Sequence, residues 1–221
     1  MRTPSLGPAL IAEAVGAFAL VFLGCGAIAV GNVATAGVAA AFGLAIMTMI
    51  YAFGHVSGGH FNPAVTAAFA VGRHFPAARV VPYWLAQVLG AVAGAAILRL
   101  TLGDAVTRSV TRPSGTAGQA VVWEVVLTFI LMLVIAAVAT DTRAVGQAAA
   151  IAIGGAVAAG ALVGGPVSGA SMNPARSLGP ALVSGIFDDL WIYLIAPPVG
   201  AILGVLVYRY LRESRAASTD P

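Results

Sequence analysis

The chain has 221 residues, of which 60% are hydrophobic and 9% are charged, whereas soluble domains carry about 25% charged residues. This composition excludes a cytosolic globular domain. The formal charge of +3 comes from eleven arginines without any lysine, and because these stand singly they do not indicate nucleic-acid binding. The one cysteine, Cys25, excludes an internal disulfide and cannot by itself form a thiolate metal site.

Long uncharged stretches separate the charged residues. Glu13 and Arg73 have 59 uncharged positions between them, and Arg143 and Arg176 have 32. Because a membrane span needs roughly 20 apolar residues, the chain is predicted to be an all-α integral membrane protein. Run length and helix breakers predict six transmembrane helices at residues 8–29, 36–54, 82–102, 119–140, 146–164 and 190–211.

Two further apolar segments, residues 58–72 and 168–182, are too short to cross a bilayer core of about 30 Å. We therefore expect them to be re-entrant or interfacial. Each contains the same triplet, Asn62-Pro63-Ala64 in the first and Asn173-Pro174-Ala175 in the second. The repetition of this triplet is the most informative pattern in the chain.

The two triplets lie 111 positions apart, and the same offset relates Glu13 to Glu124. We interpret the chain as an internal duplication, with one repeat in residues 1–110 and a second in residues 111–221, together forming one membrane domain. Each repeat contains three spans, so the second must enter the membrane from the opposite side. This predicts an inverted 3+3 repeat, an arrangement common among transport proteins.

Asparagine is a preferred N-cap residue and proline is favoured at the first helical position. Asn62 and Asn173 are therefore predicted to start two half helices, whose N-terminal ends meet at mid-membrane. Their dipoles repel cations, and the asparagine amides can donate hydrogen bonds to an uncharged molecule. Unwound backbone at membrane depth must line a cavity. We expect pore-lining carbonyls from Gly58, Gly59, His60, Phe61, Gly169, Ala170 and Ser171.

Glycines at a four-residue spacing occur in the third span of each repeat, as Gly90 and Gly94 and as Gly200 and Gly204. Small residues at this spacing let helices approach closely in lipid. We expect them at a helix crossing between the two repeats.

Arginine placement predicts the orientation of the chain. One face of the membrane receives only Arg99, Arg108 and Arg112, together with Asp188 and Asp189. The opposite face receives Arg2, Arg73, Arg79, Arg143, Arg209, Arg212 and Arg215. The positive-inside rule then places both termini in the cytoplasm.

The stretch GHVSGGHFNPAVT at residues 54–66, the stretch NPARS at residues 173–177, and the paired Glu13 and Glu124 resemble the aquaporin, or major intrinsic protein, family of bacterial type. The resemblance covers essentially the whole chain. It implies a passive channel in a homotetramer without cofactor or metal, in the plasma (inner) membrane of a bacterium. It also implies that both glutamates accept hydrogen bonds from the re-entrant loops.

Arg176 has no counterpart in the first repeat, where the equivalent position is Val65. A charged residue at membrane depth costs at least about 2.5 kcal/mol and usually faces a wet cavity, so a selectivity role is expected. The family resemblance implies that Arg176 forms a constriction with Phe42, Ala161 and Ala170 on the extracellular side.

Strict water channels of the family usually have a histidine where this chain has Ala161. The alanine predicts a wider constriction that passes water and small uncharged solutes such as glycerol, urea or neutral metalloid acids while excluding ions and protons. Ser177 and Ala181 instead resemble the water-selective branch. A strictly water-selective channel is therefore the alternative.

A secondary transporter with inverted repeats is a remote alternative. It would need an intramembrane carboxylate to bind a coupling ion, and the candidates are Glu13 and Glu124. The spans contain no nucleophile, base and acid grouping and no metal-ligand cluster, so we do not expect an enzyme.

Overall fold

The computed structural model describes residues 5–140 and 148–217, with backbone alone for residues 214–217. The described residues form eight main helices, six of which are long and apolar enough to cross a membrane. In chain order these helices are α1 (Leu6–Ala29), α2 (Thr35–Ser57), α3 (Pro63–Val71), α4 (Val80–Leu102), α5 (Ala117–Thr140), α6 (Ala149–Ser168), α7 (Pro174–Ser184) and α8 (Leu190–Ala217).

The predicted architecture of six spans and two half helices is confirmed. Run length located the ends of the spans to within about six residues, because membrane helices must present an unbroken apolar length to lipid. Residues 146 and 147 of the fifth predicted span lie outside the described residues. Among the arginines used to predict orientation, Arg2 and Arg143 lie outside the described residues, as does the side chain of Arg215.

The half helices α3 and α7 begin where the sequence predicts. The Oδ1 atom of Asn62 accepts a hydrogen bond from the Ala64 amide at 2.8 Å. The Oδ1 atom of Asn173 accepts from the amides of Ala175 at 3.0 Å and Arg176 at 3.3 Å. Each asparagine therefore satisfies amides that the first helical turn would otherwise leave without a partner.

The N-terminal ends of the two half helices meet. The Nδ2 atom of Asn62 donates to the Met172 carbonyl at 2.7 Å, and the Nδ2 atom of Asn173 donates to the Phe61 carbonyl at 2.9 Å. Each cap residue thus binds the backbone just before the other half helix. These reciprocal bonds hold the two re-entrant segments at one point in the bundle.

The repeated glycines pack differently from our expectation. A Cβ atom on Gly94 would lie 2.9 Å from the Phe18 carbonyl oxygen in α1, and one on Gly204 would lie 2.7 Å from the Phe129 carbonyl oxygen in α5. At these glycines the third span packs closely against the first span of the same repeat. The expected crossing between repeats is therefore wrong, because the spacing reveals close approach but not the identity of the neighbouring helix.

Contacts between the repeats use other glycines, among them Gly43, Gly154 and Gly179. A Cβ atom on Gly179 in α7 would lie 2.7 Å from the Ala91 carbonyl oxygen in α4. The half helix of the second repeat therefore packs closely against the third span of the first repeat.

We expect Gly204→Ala to destabilise the protein by about 2 kcal/mol, because the added methyl meets backbone that cannot rotate away. Thermal unfolding in detergent measures the effect. Gly118→Ala is the matched control, since a Cβ atom there meets nothing within 4 Å. Equal unfolding temperatures for the two variants would contradict the close packing of α8 against α5.

Candidate functional site

Two cavities adjoin along the bundle. The inner cavity, of about 320 Å³, is lined by Asn62 and Asn173 and by apolar side chains such as Ile135 and Ile153. The outer cavity, of about 500 Å³, is lined in part by the segment that follows α4, including Arg108 and Arg112. The inner cavity therefore combines a few polar groups with a mainly apolar lining.

Of the described residues, four line both cavities: Phe42, Ala161, Ala170 and Arg176. They are the four for which the family resemblance implied a constriction. The guanidinium carbon of Arg176 lies 5.1 Å from the centre of the Phe42 ring. One cation, one aromatic ring and two methyl groups therefore form the boundary between the cavities.

Arg176 is buried and held on one side by the segment between α4 and α5. Its Nη1 atom donates to the Ser109 carbonyl at 3.2 Å and to the Thr111 hydroxyl at 2.6 Å. Its Nε atom has no hydrogen-bond partner among the described residues. Ser109 and Thr111 were not predicted as site residues, because neither belongs to a repeated motif.

The re-entrant backbone adopts left-handed conformations before each half helix. Positive φ angles occur at Gly58, Gly59 and Phe61, and again at Gly169, Ala170 and Met172. This conformation costs glycine little but strains other residues. The surrounding hydrogen bonds must therefore hold Phe61, Ala170 and Met172 in place.

Five of the residues expected to contribute pore carbonyls line the inner cavity, namely Gly58, Gly59, His60, Ala170 and Ser171. Gly169 lines the outer cavity. Phe61 lines neither cavity. Its carbonyl accepts a hydrogen bond from the side-chain amide of Asn173. Met172, which we did not predict, lines the inner cavity.

Glu13 is fully buried beneath the first re-entrant segment. Its carboxylate accepts hydrogen bonds from the backbone amides of His60 at 2.9 Å and Phe61 at 2.6 Å. It also accepts from the Ser57 hydroxyl and from the Gln87 amide, each at 2.7 Å. Four donors thus surround one buried carboxylate.

Glu124 makes the equivalent contacts in the second repeat. Its carboxylate accepts from the backbone amides of Ser171 and Met172 and from the Ser168 hydroxyl, each at 2.8 Å. Tyr193 completes the arrangement by donating to the Ser168 carbonyl at 2.6 Å. Buried charges are tolerated when charge-assisted hydrogen bonds satisfy them.

The supporting role of the glutamates was expected, but no role was assigned to the serines and tyrosines around them. Ser57 and Ser168 stand 111 positions apart, like the glutamates that they contact. Tyr83 donates to the Ser57 carbonyl just as Tyr193 does to that of Ser168. The repeat therefore relates both pairs, although it does not by itself show that they contact the glutamates or the re-entrant backbone.

Metal ligands do not cluster here: among the described residues, His, Cys, Asp and Glu side chains nowhere gather in groups of three. The site offers amide and guanidinium donors and backbone carbonyls, which suit the passage of a hydrogen-bonding molecule.

The family model of the major intrinsic protein matches residues 1–208. The chain belongs to the major intrinsic protein family. It is 50% identical to nodulin-26 of Glycine max over 209 residues, which cover 92% of this chain and 77% of that protein. It is 48% identical to aquaporin NIP1-1 of Zea mays, with 92% and 74% covered.

A solved structure of the family supports the same assignment. The X-ray structure of the aquaglyceroporin from Plasmodium falciparum matches with a TM-score of 0.85 and 26% identity, covering 97% of this chain and 100% of that one. The expected family, the inverted six-span fold and the interpretation as a channel rather than an enzyme are confirmed.

We expect Glu124→Gln to destabilise this family member by about 2 kcal/mol, because the new amide nitrogen faces either the Met172 N–H or the Ser171 N–H and Ser168 hydroxyl, which then lack an acceptor. The unfolding temperature and the water permeability per protein molecule should both decrease. Glu213→Gln is the matched control, since the side chain of Glu213 is 64% exposed and its loss should change stability by less than about 0.5 kcal/mol. An unchanged Glu124→Gln channel would contradict the supporting role of the carboxylate.

Proposed function

We propose that this chain is a passive membrane channel for water and small uncharged solutes such as glycerol, urea or neutral metalloid acids. The observation that carries the proposal is the boundary between the two cavities, which consists of Phe42, Ala161, Ala170 and Arg176. A molecule passing from one cavity to the other must pass these four side chains.

The asparagine amides supply hydrogen bonds inside the channel. An asparagine side chain has two N–H donors, and Asn62 and Asn173 each use one to bind the opposite re-entrant backbone. Both residues line the inner cavity. One N–H of each therefore remains for a permeating molecule.

The same region disfavours cations. The N-terminal ends of α3 and α7 meet here, and each carries roughly half a positive charge. Arg176 adds a full charge at the boundary of the cavities. This mechanism is the one already described for aquaporins, and it applies here because the required groups converge.

Two alanines determine the size of the boundary. The methyl groups of Ala161 and Ala170 occupy little space and offer no hydrogen bond, so the boundary is wide and partly apolar. Glycerol and urea combine hydrogen-bonding groups with apolar or planar faces, and such a boundary accommodates both. A wide, partly apolar boundary favours a broad solute range. It argues against the strict water selectivity that Ser177 and Ala181 suggested.

A secondary transporter finds no support in the described residues. Glu13 and Glu124, the carboxylates that a coupling ion would need, are surrounded by donors from the re-entrant segments. Binding a cation at either position would require breaking those bonds.

Stopped-flow light scattering on reconstituted vesicles tests the proposed function. We expect rapid shrinkage in sucrose, followed by rapid reswelling in a glycerol or urea gradient, with no dependence on a proton or sodium gradient. Shrinkage without reswelling would establish a strictly water-selective channel. Shrinkage no faster than in protein-free vesicles would exclude the proposed function.

The filter assignment has its own test. We expect Ala161→His to reduce glycerol permeability by at least about tenfold and water permeability by less than about threefold, since an added imidazole narrows the boundary and gives water a hydrogen-bonding group. Permeability ratios from the same vesicles measure this. The control is Gly155→His, at an exposed position of the same helix. Equal losses of glycerol permeability and water permeability in Ala161→His would contradict the assignment.

The chain is an integral membrane protein. We further propose a homotetramer, which the family resemblance implies, with both termini in the cytoplasm, as the arginine distribution favours. The relatives reported above come from plants, so they lend no support to the expected bacterial inner membrane. Light scattering in detergent should give the mass of four chains.

A further inference from the structure

A line of buried hydroxyl groups connects Arg176 to the cap of α7. The Arg176 Nη1 atom lies 2.6 Å from the Thr111 hydroxyl, which lies 2.6 Å from that of Ser177. The Ser177 hydroxyl lies 2.6 Å from that of Ser171, which donates to the Asn173 carbonyl at 2.9 Å. Thr111, Ser177 and Ser171 are each no more than 5% exposed.

Counting protons fixes the direction of donation along this line. An arginine N–H can only donate, so Thr111 accepts from Arg176. A hydroxyl has one proton, and that of Ser171 is used on the Asn173 carbonyl. Ser177 must therefore donate to Ser171, and Thr111 must donate to Ser177. Every hydroxyl in the line then accepts and donates, without a conflict or a missing partner.

We propose that Thr111 and Ser177 are positioning residues that hold the guanidinium of Arg176 at the wall of the channel and thereby set solute selectivity. This rests on the proposed function, since it concerns the same boundary between the cavities. Ser177 links the re-entrant segment of α7 to Thr111, and Thr111 makes the shortest contact to Arg176.

The remaining contacts of the Arg176 side chain are weaker constraints. Its Nη1 atom lies 3.2 Å from the Ser109 carbonyl, and the Phe42 ring centre is 5.1 Å from its Cζ atom. Its Nε atom has no partner in the described part of the chain. Loss of Thr111 would leave one long hydrogen bond, and the guanidinium could then turn toward the water of the channel.

The first repeat lacks both the arginine and the extended line of hydroxyl groups. Thr66 occupies the position equivalent to Ser177, and it donates to the Asn62 carbonyl at 2.9 Å while accepting from Gln87 at 2.9 Å. The line of polar contacts ends at His60, whose Nδ1 atom lies 3.1 Å from the Thr66 hydroxyl. The position equivalent to Arg176 is Val65. The extended hydroxyl line occurs in the repeat that carries the cation.

The direction of the line also explains why hydroxyl groups suit these positions. Each member must accept one hydrogen bond and pass one on, which hydroxyls do at a single oxygen atom. Valine in place of Thr111 keeps the shape and removes both functions. Serine in its place keeps both functions and removes only a methyl group.

The experiment compares the glycerol-to-water permeability ratio of Thr111→Val, Thr111→Ser and Ser177→Ala channels in the same vesicles. Thr111→Val should lower the ratio by at least about fivefold, because a released guanidinium narrows the boundary more for glycerol than for water. Thr111→Ser should restore the ratio to within about twofold of the parent channel. Ser177→Ala keeps the question answerable if Thr111→Val fails to fold, and it should shift the ratio in the same direction.

A second comparison separates positioning from general damage to the fold. In a channel that already carries Arg176→Ala, adding Thr111→Val should change the ratio by less than about twofold, because no guanidinium remains to be positioned. Equal effects of Thr111→Val with and without Arg176 would overturn the proposal. So would ratios in Thr111→Val and Ser177→Ala that match the parent channel while that channel conducts. A parent channel that conducts nothing would instead refute the proposed function.

Discussion

Backbone polar groups at membrane depth must find partners inside the protein, and the structure depends on how this chain meets that constraint. The unwound segments before α3 and α7 expose amides that no helix can satisfy. Two buried carboxylates accept those amides, and both are anchored on long spans. Glu13 and Glu124 therefore permit irregular backbone, and with it a cavity, in the middle of a helical bundle.

The two repeats share a framework of hydrogen bonds but differ in the residues that line the cavities. Their caps, glutamates and tyrosines make corresponding hydrogen bonds, apart from the bond of Gln87 to Glu13, which has no counterpart at Glu124. Selectivity requires a departure from this correspondence. One such departure is Arg176, whose equivalent in the first repeat is the apolar Val65, and the hydroxyl groups around it differ accordingly. The contacts that the two repeats share support the re-entrant segments, and we propose that the residues that differ around Arg176 form the filter.

Much of this architecture could be predicted because its signals are local or repeated. Apolar run length located the spans, and the Asn-Pro pairs located the half helices, since cap preferences act within one turn. The positions of Ser109 and Thr111 could not be predicted in this way. They lie in the connection between the repeats, where no periodicity applies, and they reach Arg176 through the folded structure alone. The glycine spacing in α4 and α8 indicated close packing correctly but could not name the partner helix.

The reciprocal bonds of Asn62 and Asn173 make each repeat incomplete by itself. Each asparagine amide binds a carbonyl of the other repeat, so one repeat alone would have both a donor and an acceptor without partners. A second copy inserted in the opposite direction would supply both. A single three-span unit able to insert in either orientation could thus assemble the central site as a dimer, and covalent fusion of two such units fixes one opposed pair in every molecule.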